Sequence, residues 1–234
     1  MIKRVIAATL AVVCLSSCAI GGGGVKTDII TKEYETDYSS VRAEVIEISG
    51  LQDTEFEDAF NDSVEKNIDS ELVAFDTAAS EIADELKMGN KCVFQTTWHE
   101  KYNKNDFLSL VEERYVYMGG AHGETAWLPR NIDIAASKEV KLADLFSDSG
   151  YVNTLNRLIN EEMEENKDEY ADLWEKPEIK DSNQTDFYIE GDDLVIFYQP
   201  YDLSYYARGF VEFRLPLEEL TGYMKEEYAR LLQN

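Results

Sequence analysis

The chain has 234 residues, 44% of them hydrophobic and 12% aromatic, with 47 acidic side chains against 22 basic ones and a net charge of −25. That apolar content excludes an intrinsically disordered chain. The charge excludes nucleic acid and disfavours anionic headgroups, and it attracts cationic proteins, peptides or metal ions, while also helping an exported domain stay in solution.

Lys3 and Arg4 open the sequence, and Val5 to Leu15 follow as an apolar run interrupted only by Thr9. A membrane span needs about 20 apolar residues, so this shorter run is expected to be the h-region of a signal peptide. Leu15-Ser16-Ser17-Cys18 resembles a lipobox. Cleavage before Cys18 and acylation of its thiol (palmitate or a similar chain) are therefore expected, making the chain a lipoprotein anchored to a membrane outside the cytoplasm. Gly21 to Gly24 supply slack for such a tether. Loss of Lys3 and Arg4 with the leader takes the charge to about −27. Cys14 leaves with the leader and Cys18 carries lipid, so Cys92 has no partner and the fold is expected to stand without disulfides. In Cys92-Val93-Phe94 it reads as a buried thiol.

Thr27 to Ser49 reads as strands. Val41, Ala43 and Val45 alternate with charged residues before the apolar phase slips to Ile46 and Ile48, which suggests a bulge. Thr54-x-x-Glu57 is a capping-box pattern. Phe56, Phe60, Val64, Ile68, Leu72, Phe75, Ala79, Ile82 and Leu86 follow at helical spacing, with Gly89 as the stop. Strands return at Lys91 to Tyr102 and Phe107 to Met118 around an Asn103–Asp106 turn. Gly119-Gly120-Ala121-His122-Gly123 breaks the pattern, which resumes from Ala126 to Ile134. Leu142 to Phe146 lead into a second helix carrying Val152, Leu155, Leu158, Ile159 and Met163, with the acidic Glu161–Asp172 stretch as its solvated face. Phe187–Ile189 and Leu194–Tyr198 flank a tight turn, Gly209–Leu215 is another strand, and Glu218–Leu232 is helical. Mixed strands and helices without βαβ regularity give an α+β class.

The usual parts of catalytic sites are scarce. Histidine occurs twice, as His99 and His122, with no zinc-type pair. No nucleophile elbow or phosphate loop is present, and Asp192-Asp193 lacks the spacing of a calcium loop. No catalytic residue, metal site or cofactor is assigned, and the chain is expected to be a binding protein rather than an enzyme. The ligand-binding candidates are His122, set among glycines that permit a close approach, and Tyr198, Tyr201, Tyr205 and Tyr206 around Pro200. A structural imidazole and tyrosines at a sheet rim are the alternative readings of these residues.

Leu108-Ser109-Leu110, Tyr115 to Gly123, Asn131-Ile132-Asp133 and Leu142 to Phe146 resemble domain of unknown function 3298. So do Phe187-Tyr188-Ile189, Leu194 to Leu203, Tyr206 to Gly209 and Glu212 to Pro216. Val41 to Tyr102 is similar to the domain of unknown function 4163 that commonly precedes it. Together these blocks resemble the RsiV/PdaC-type extracytoplasmic domain family. The resemblance implies two packed α+β modules, each a mostly antiparallel sheet with helices, the first holding the long amphipathic helix. The expected layout is a leader at 1–17, lipidated cysteine and tether at 18–26, a first module at 27–105 and a second at 106–234. Relatives include an anti-sigma factor that binds lysozyme and the N-terminal region of a peptidoglycan deacetylase. Neither a sigma-binding segment nor the metal-binding motifs of a deacetylase domain is expected, so neither signalling nor deacetylation is carried over from these relatives. The resulting expectation is a non-catalytic envelope lipoprotein that recognises a cationic protein such as lysozyme. The alternative is a protein that binds or modifies peptidoglycan glycan through a groove lined by His122 and the tyrosines.

Overall fold

The computed structural model describes residues 25–82, 90–180 and 186–232. The leader, Cys18, the glycine tether and the helix stop expected at Gly89 lie outside the described residues. Strands β1 (Lys26–Glu35), β2 (Ser39–Ser49), β3 (Cys92–Lys104), β4 (Phe107–Tyr117), β5 (Glu124–Asp133) and β6 (Lys138–Glu139) form one sheet in sequence order. A second sheet joins β7 (Phe187–Glu190), β8 (Asp193–Tyr198) and β9 (Val211–Pro216). Helices α1 (Thr54–Ile82), α2 (Tyr151–Glu165), α3 (Leu217–Leu220) and α4 (Glu226–Leu231) complete an α+β fold. The chain divides into two compact units: one takes in Val25–His99 and Glu112–Ala126, the other Glu100–Val111 and the chain from Trp127 onward.

In the first unit, α1 buries Phe60, Val64, Ile68, Leu72, Phe75 and Ala79, the stripe that its sequence period marks. Each of the five larger side chains contributes about 1.5–3 kcal/mol on leaving water. The helix begins on Asp53 rather than Thr54: Asp53 Oδ1 accepts from Phe56 N at 3.0 Å. Glu57 reaches back to Leu51 N at 2.9 Å, so both polar ends of the expected box are shifted by the better cap. Helix α1 is the crossover of one β–α–β unit, since β2 and β3 pair in parallel from Ser39↔Cys92 to Ala43↔Thr96. The β1–β2 register runs unbroken from Lys26↔Ser49 to Glu35↔Ser40, so the phase slip at Ile46 is not a bulge there. Val45 and Ile46 are each 2% exposed; β2 is covered on both faces at that point. Beyond its pairing with β3, Ile48 is bonded by Asn61 of α1, which accepts from its N–H and donates to its carbonyl, both at 2.9 Å. Cys92 is buried, and burial raises its thiol pKa.

The second unit covers both faces of the β7–β8–β9 sheet. Phe187, Ile189, Leu194, Ile196, Phe213 and Leu215 belong to one cluster together with Leu155 and Ile159 of α2. Tyr188, Val195 and Phe197 meet Val111, Trp127 and Phe210 in another. A buried pair, Ser109 and Asn131, satisfies the β7 backbone: Ile189 N donates to Ser109 Oγ at 3.0 Å and Asn131 Nδ2 donates to the Phe187 carbonyl at 2.9 Å. Leu142 to Leu145 form a 3₁₀ turn that leads to α2, and Phe146 stacks on Tyr151 with centroids 4.2 Å apart. Helix α2 stops at Glu165 instead of running to Asp172, because the acidic stretch beyond it has no apolar period and the chain turns at Asn166. The C-terminal helix is likewise two pieces, α3 and α4. Between them Lys225 N bonds the Leu145 carbonyl at 2.9 Å.

Candidate recognition surface

Strand β8 delivers Tyr198 to its end, and period-2 alternation puts that side chain with Leu194 and Ile196. It is 8% exposed, edge-on to Phe213 with centroids 6.1 Å apart. Its hydroxyl has no hydrogen-bond partner among the described residues. Burial, then the charges of Asp202 and Asp186, push its pKa up to about 12. Tyr198 is thus a core residue, apart from the exposed tyrosines that follow it.

Past Tyr198 the chain makes a turn closed by Asp202 N to Gln199 O at 3.0 Å and Gln199 N to Asp202 Oδ2 at 2.9 Å. Tyr201 sits in it at φ 76°, a region that costs a bulky L residue about 1–2 kcal/mol. Its ring is 52% exposed and leans on Tyr206 at 5.6 Å between centroids. Tyr205 is 49% exposed; a hydrogen bond to Asp172 raises its phenol pKa.

The segment before β7 holds this loop. Trp174 N donates to Leu203 O at 2.8 Å, Ser204 Oγ to Asp172 O at 3.0 Å, and Arg208 Nη2 to Glu169 O at 2.9 Å. Arg208 also pairs with Asp172 at 3.2 Å. Trp174 itself is 62% exposed. Three exposed aromatic rings therefore stand on two mutually bonded loops, and the adjoining Glu161–Glu175 stretch carries eight carboxylates against Lys167 alone. Glu162, drawn inward, is raised in pKa by burial although Tyr170 donates to it at 2.7 Å and Arg214 N at 2.9 Å. Trp174 and Asp172 were missed in the sequence because their stretch shows charge and no periodicity.

The family model described as "Deacetylase PdaC" matches residues 32–125, and that described as "Protein of unknown function (DUF3298)" matches residues 143–218. The chain carries a PdaC-type region followed by a DUF3298-type region. The peptidoglycan-N-acetylmuramic acid deacetylase PdaC of Bacillus subtilis is 28% identical over 131 residues, which is 54% of this chain but 28% of that protein. The chain thus spans little more than a quarter of that relative. A crystal structure of a DUF3298 family member from Bacteroides fragilis has a TM-score of 0.72 at 18% identity, covering 91% of this chain and 98% of that one. A DUF3298 family protein from Pseudomonas aeruginosa has a TM-score of 0.61 at 14% identity, covering 87% and 96%. Both likenesses establish the fold.

The aromatic loop lies in the DUF3298 region. Its Gln199 explains part of the Gln-Pro-Tyr-Asp block: the side-chain amide accepts from Trp127 N at 3.0 Å and donates to Trp127 O at 2.7 Å, standing in for a neighbouring strand. In the PdaC region, Gly119 and Gly120 adopt φ 94° and 98°, which only glycine does without strain. Gly123 is packed so tightly on the Tyr115 ring that a Cβ would overlap it. His122 is exposed at this turn with Nδ1 2.8 Å from the Gly123 carbonyl. It belongs to the first unit and the four tyrosines to the second. No helix of the described residues is long and apolar enough to cross a membrane. Among the same residues, no group of three His, Cys, Asp or Glu is gathered as metal ligands would be.

Proposed function

We propose that this chain is a non-catalytic recognition module of the bacterial envelope that captures a cationic protein, of the lysozyme kind, on the aromatic face of its second unit. The observation that carries this reading is the set Trp174, Tyr201 and Tyr205, exposed on rigidly tied loops beside the carboxylate-rich Glu161–Glu175 stretch. The hot spots that dominate protein interfaces are enriched in Trp and Tyr. Carboxylates around them speed the arrival of a positive partner, and exposed rings accept Lys or Arg over their faces for about 0.5–1 kcal/mol each. The name of the PdaC relative, a peptidoglycan deacetylase, supports a workplace at the cell wall. Lipid on Cys18 would hold the module there. The test is calorimetric titration of lysozyme into the chain lacking its leader, at low and moderate salt. Saturable binding that weakens as salt rises is expected, because rim charges are screened beyond a Debye length of about 8–10 Å. Absence of heat at both salts refutes the reading.

A further inference from the structure

Among the described residues, β1 is the outermost strand of its sheet. Every second residue of such a strand turns its N–H and C=O away from its neighbour, towards open space. Burial at the level of Ile29 and Ile30 shows where the opening lies. Their partners in β2, Ile46 and Val45, are each 2% exposed. Ile29 and Ile30 point to opposite faces, yet both are only partly buried. The layers above and below the sheet are therefore complete at this level, and β1 is open sideways.

Natural edges are blunted by shortness, proline, bulges or unpaired charge. Strand β1 is ten residues long, has no proline, and pairs with β2 in an unbroken register. Its charges are each held by a partner: Lys26 with Asp28, Lys32 with Glu65 and Asp69, Glu33 with Arg42, and Glu35 with Lys91.

One wall of the opening is anionic. Lys32 and Tyr34 stand on the face that α1 covers: Glu65 and Asp69 accept from Lys32 Nζ, and Asp76 accepts from the Tyr34 hydroxyl at 2.6 Å. Glu65 and Asp69 keep 56% of their side chains exposed, so each can meet a second cation. Val73 lies on the same helical stripe, between Asp69 and Asp76, and is 69% exposed, an apolar rest for the stem of a long basic side chain. The other face of β1 offers Ile29 instead of charge.

We infer that β1 takes up an extended peptide as an added strand, one whose side chains alternate basic and apolar. The basic set lies beside Glu65, Asp69 and Val73, and the apolar set beside Ile29. Main-chain bonds to the edge supply affinity, and the period of two sorts the side chains between the faces. A second copy of this chain, paired edge to edge, would bring two anionic walls together; a basic strand neutralises one. The site uses no residue of the aromatic loops.

The test is calorimetric titration of the full chain, at low salt, with a capped octapeptide of alternating Lys and Val. Saturable binding is expected, with slowed hydrogen exchange at alternate amides within residues 28–35. The same peptide methylated on every backbone nitrogen keeps its charge but cannot donate to the edge, and should not bind. A Glu-Val octapeptide, and one with its Lys and Val in two blocks, should each bind about tenfold more weakly or worse. Glu65→Gln with Asp69→Asn should weaken the Lys-Val peptide about tenfold at an unchanged thermal midpoint, and Trp174→Ala should leave its affinity unchanged. Failure of the Lys-Val peptide to bind overturns the inference, as does equal binding of the methylated peptide or protection that falls outside β1. Sedimentation of the chain alone as a dimer with its β1 amides already protected would assign the edge to a second copy and overturn it too.

Discussion

Replacing Tyr198 by Phe isolates one buried hydroxyl. The Tyr198 ring is 8% exposed and packs edge-on to Phe213 at 6.1 Å; Phe keeps that contact. Its hydroxyl has no partner among the described residues, and a buried polar group without a bond costs about 1–3 kcal/mol. Tyr198→Phe is therefore expected to stabilise the fold by about 1 kcal/mol at pH 7, raising the thermal midpoint by about 2–4 °C for a domain of this size. A second signature appears in alkali. The folded pKa of about 12 exceeds the ordinary tyrosine value of about 10, so between these values the unfolded chain has lost a proton that the folded one keeps. The contribution is complete below pH 10 and is lost as pH rises towards 12; each pKa unit is about 1.4 kcal/mol, making up to about 3 kcal/mol in all. The variant should lose that much less stability than wild type across this interval. Urea unfolding at pH 7, 10 and 11.5 measures both effects. A variant destabilised by 1 kcal/mol or more at pH 7, or one with the wild-type alkaline slope, would refute the reasoning.

Other perturbations separate scaffold from surface. Tyr201→Gly should leave stability within about 1 kcal/mol, since relief of the positive φ offsets the added chain entropy, yet weaken lysozyme binding at least tenfold by calorimetry. Gly123→Ala should cost about 1–3 kcal/mol in urea unfolding through overpacking against Tyr115, and the cost should nearly vanish in a Tyr115→Ala background. Asn61→Ala removes both bonds to the Ile48 backbone and should cost about 1–3 kcal/mol by the same measurement. Cys18→Ala should shift the chain from the membrane fraction to the medium or periplasm on immunoblots; retention in the membrane would dismiss the lipid anchor.

Where structure follows from short-range pattern, the sequence was legible. The stripe from Phe60 to Ala79 marks α1, and Glu190↔Asp193 pairing around Gly191 is the hairpin that its turn residues announce. Tyr198 and Tyr201 looked alike by neighbourhood, although strand parity separates them: Tyr198 falls in step with Leu194 and Ile196, while Tyr201 lies beyond the strand in a strained turn. Long-range pairings left no local trace. Nothing near Ser109 announces Ile189, eighty residues away, and nothing in the acidic stretch announces that Asp172 and Trp174 would tie down the tyrosine loop. The helix cap at Asp53 in place of Thr54 was likewise decided by geometry that the capping-box pattern does not carry.

Polar groups in the first unit are largely committed to holding it together. Tyr34 and Ser39 both donate to Asp76 of α1 at 2.6 and 2.9 Å, Asn61 bonds the free stretch of β2, and Thr96 and Trp98 both donate to the Glu44 carbonyl. In the second unit the departures from good local practice gather. Among the described residues all four strongly exposed aromatic rings, Trp174, Tyr201, Tyr205 and Tyr223, belong to it, together with a tyrosine at positive φ and a buried amide oxygen without a donor. A sequence that satisfies its fold elsewhere tolerates such costs where they serve something other than stability. Specificity for the protein captured on the aromatic face is therefore expected to travel with residues 151–209 when homologous segments are exchanged, whereas the first unit should be replaceable without changing it.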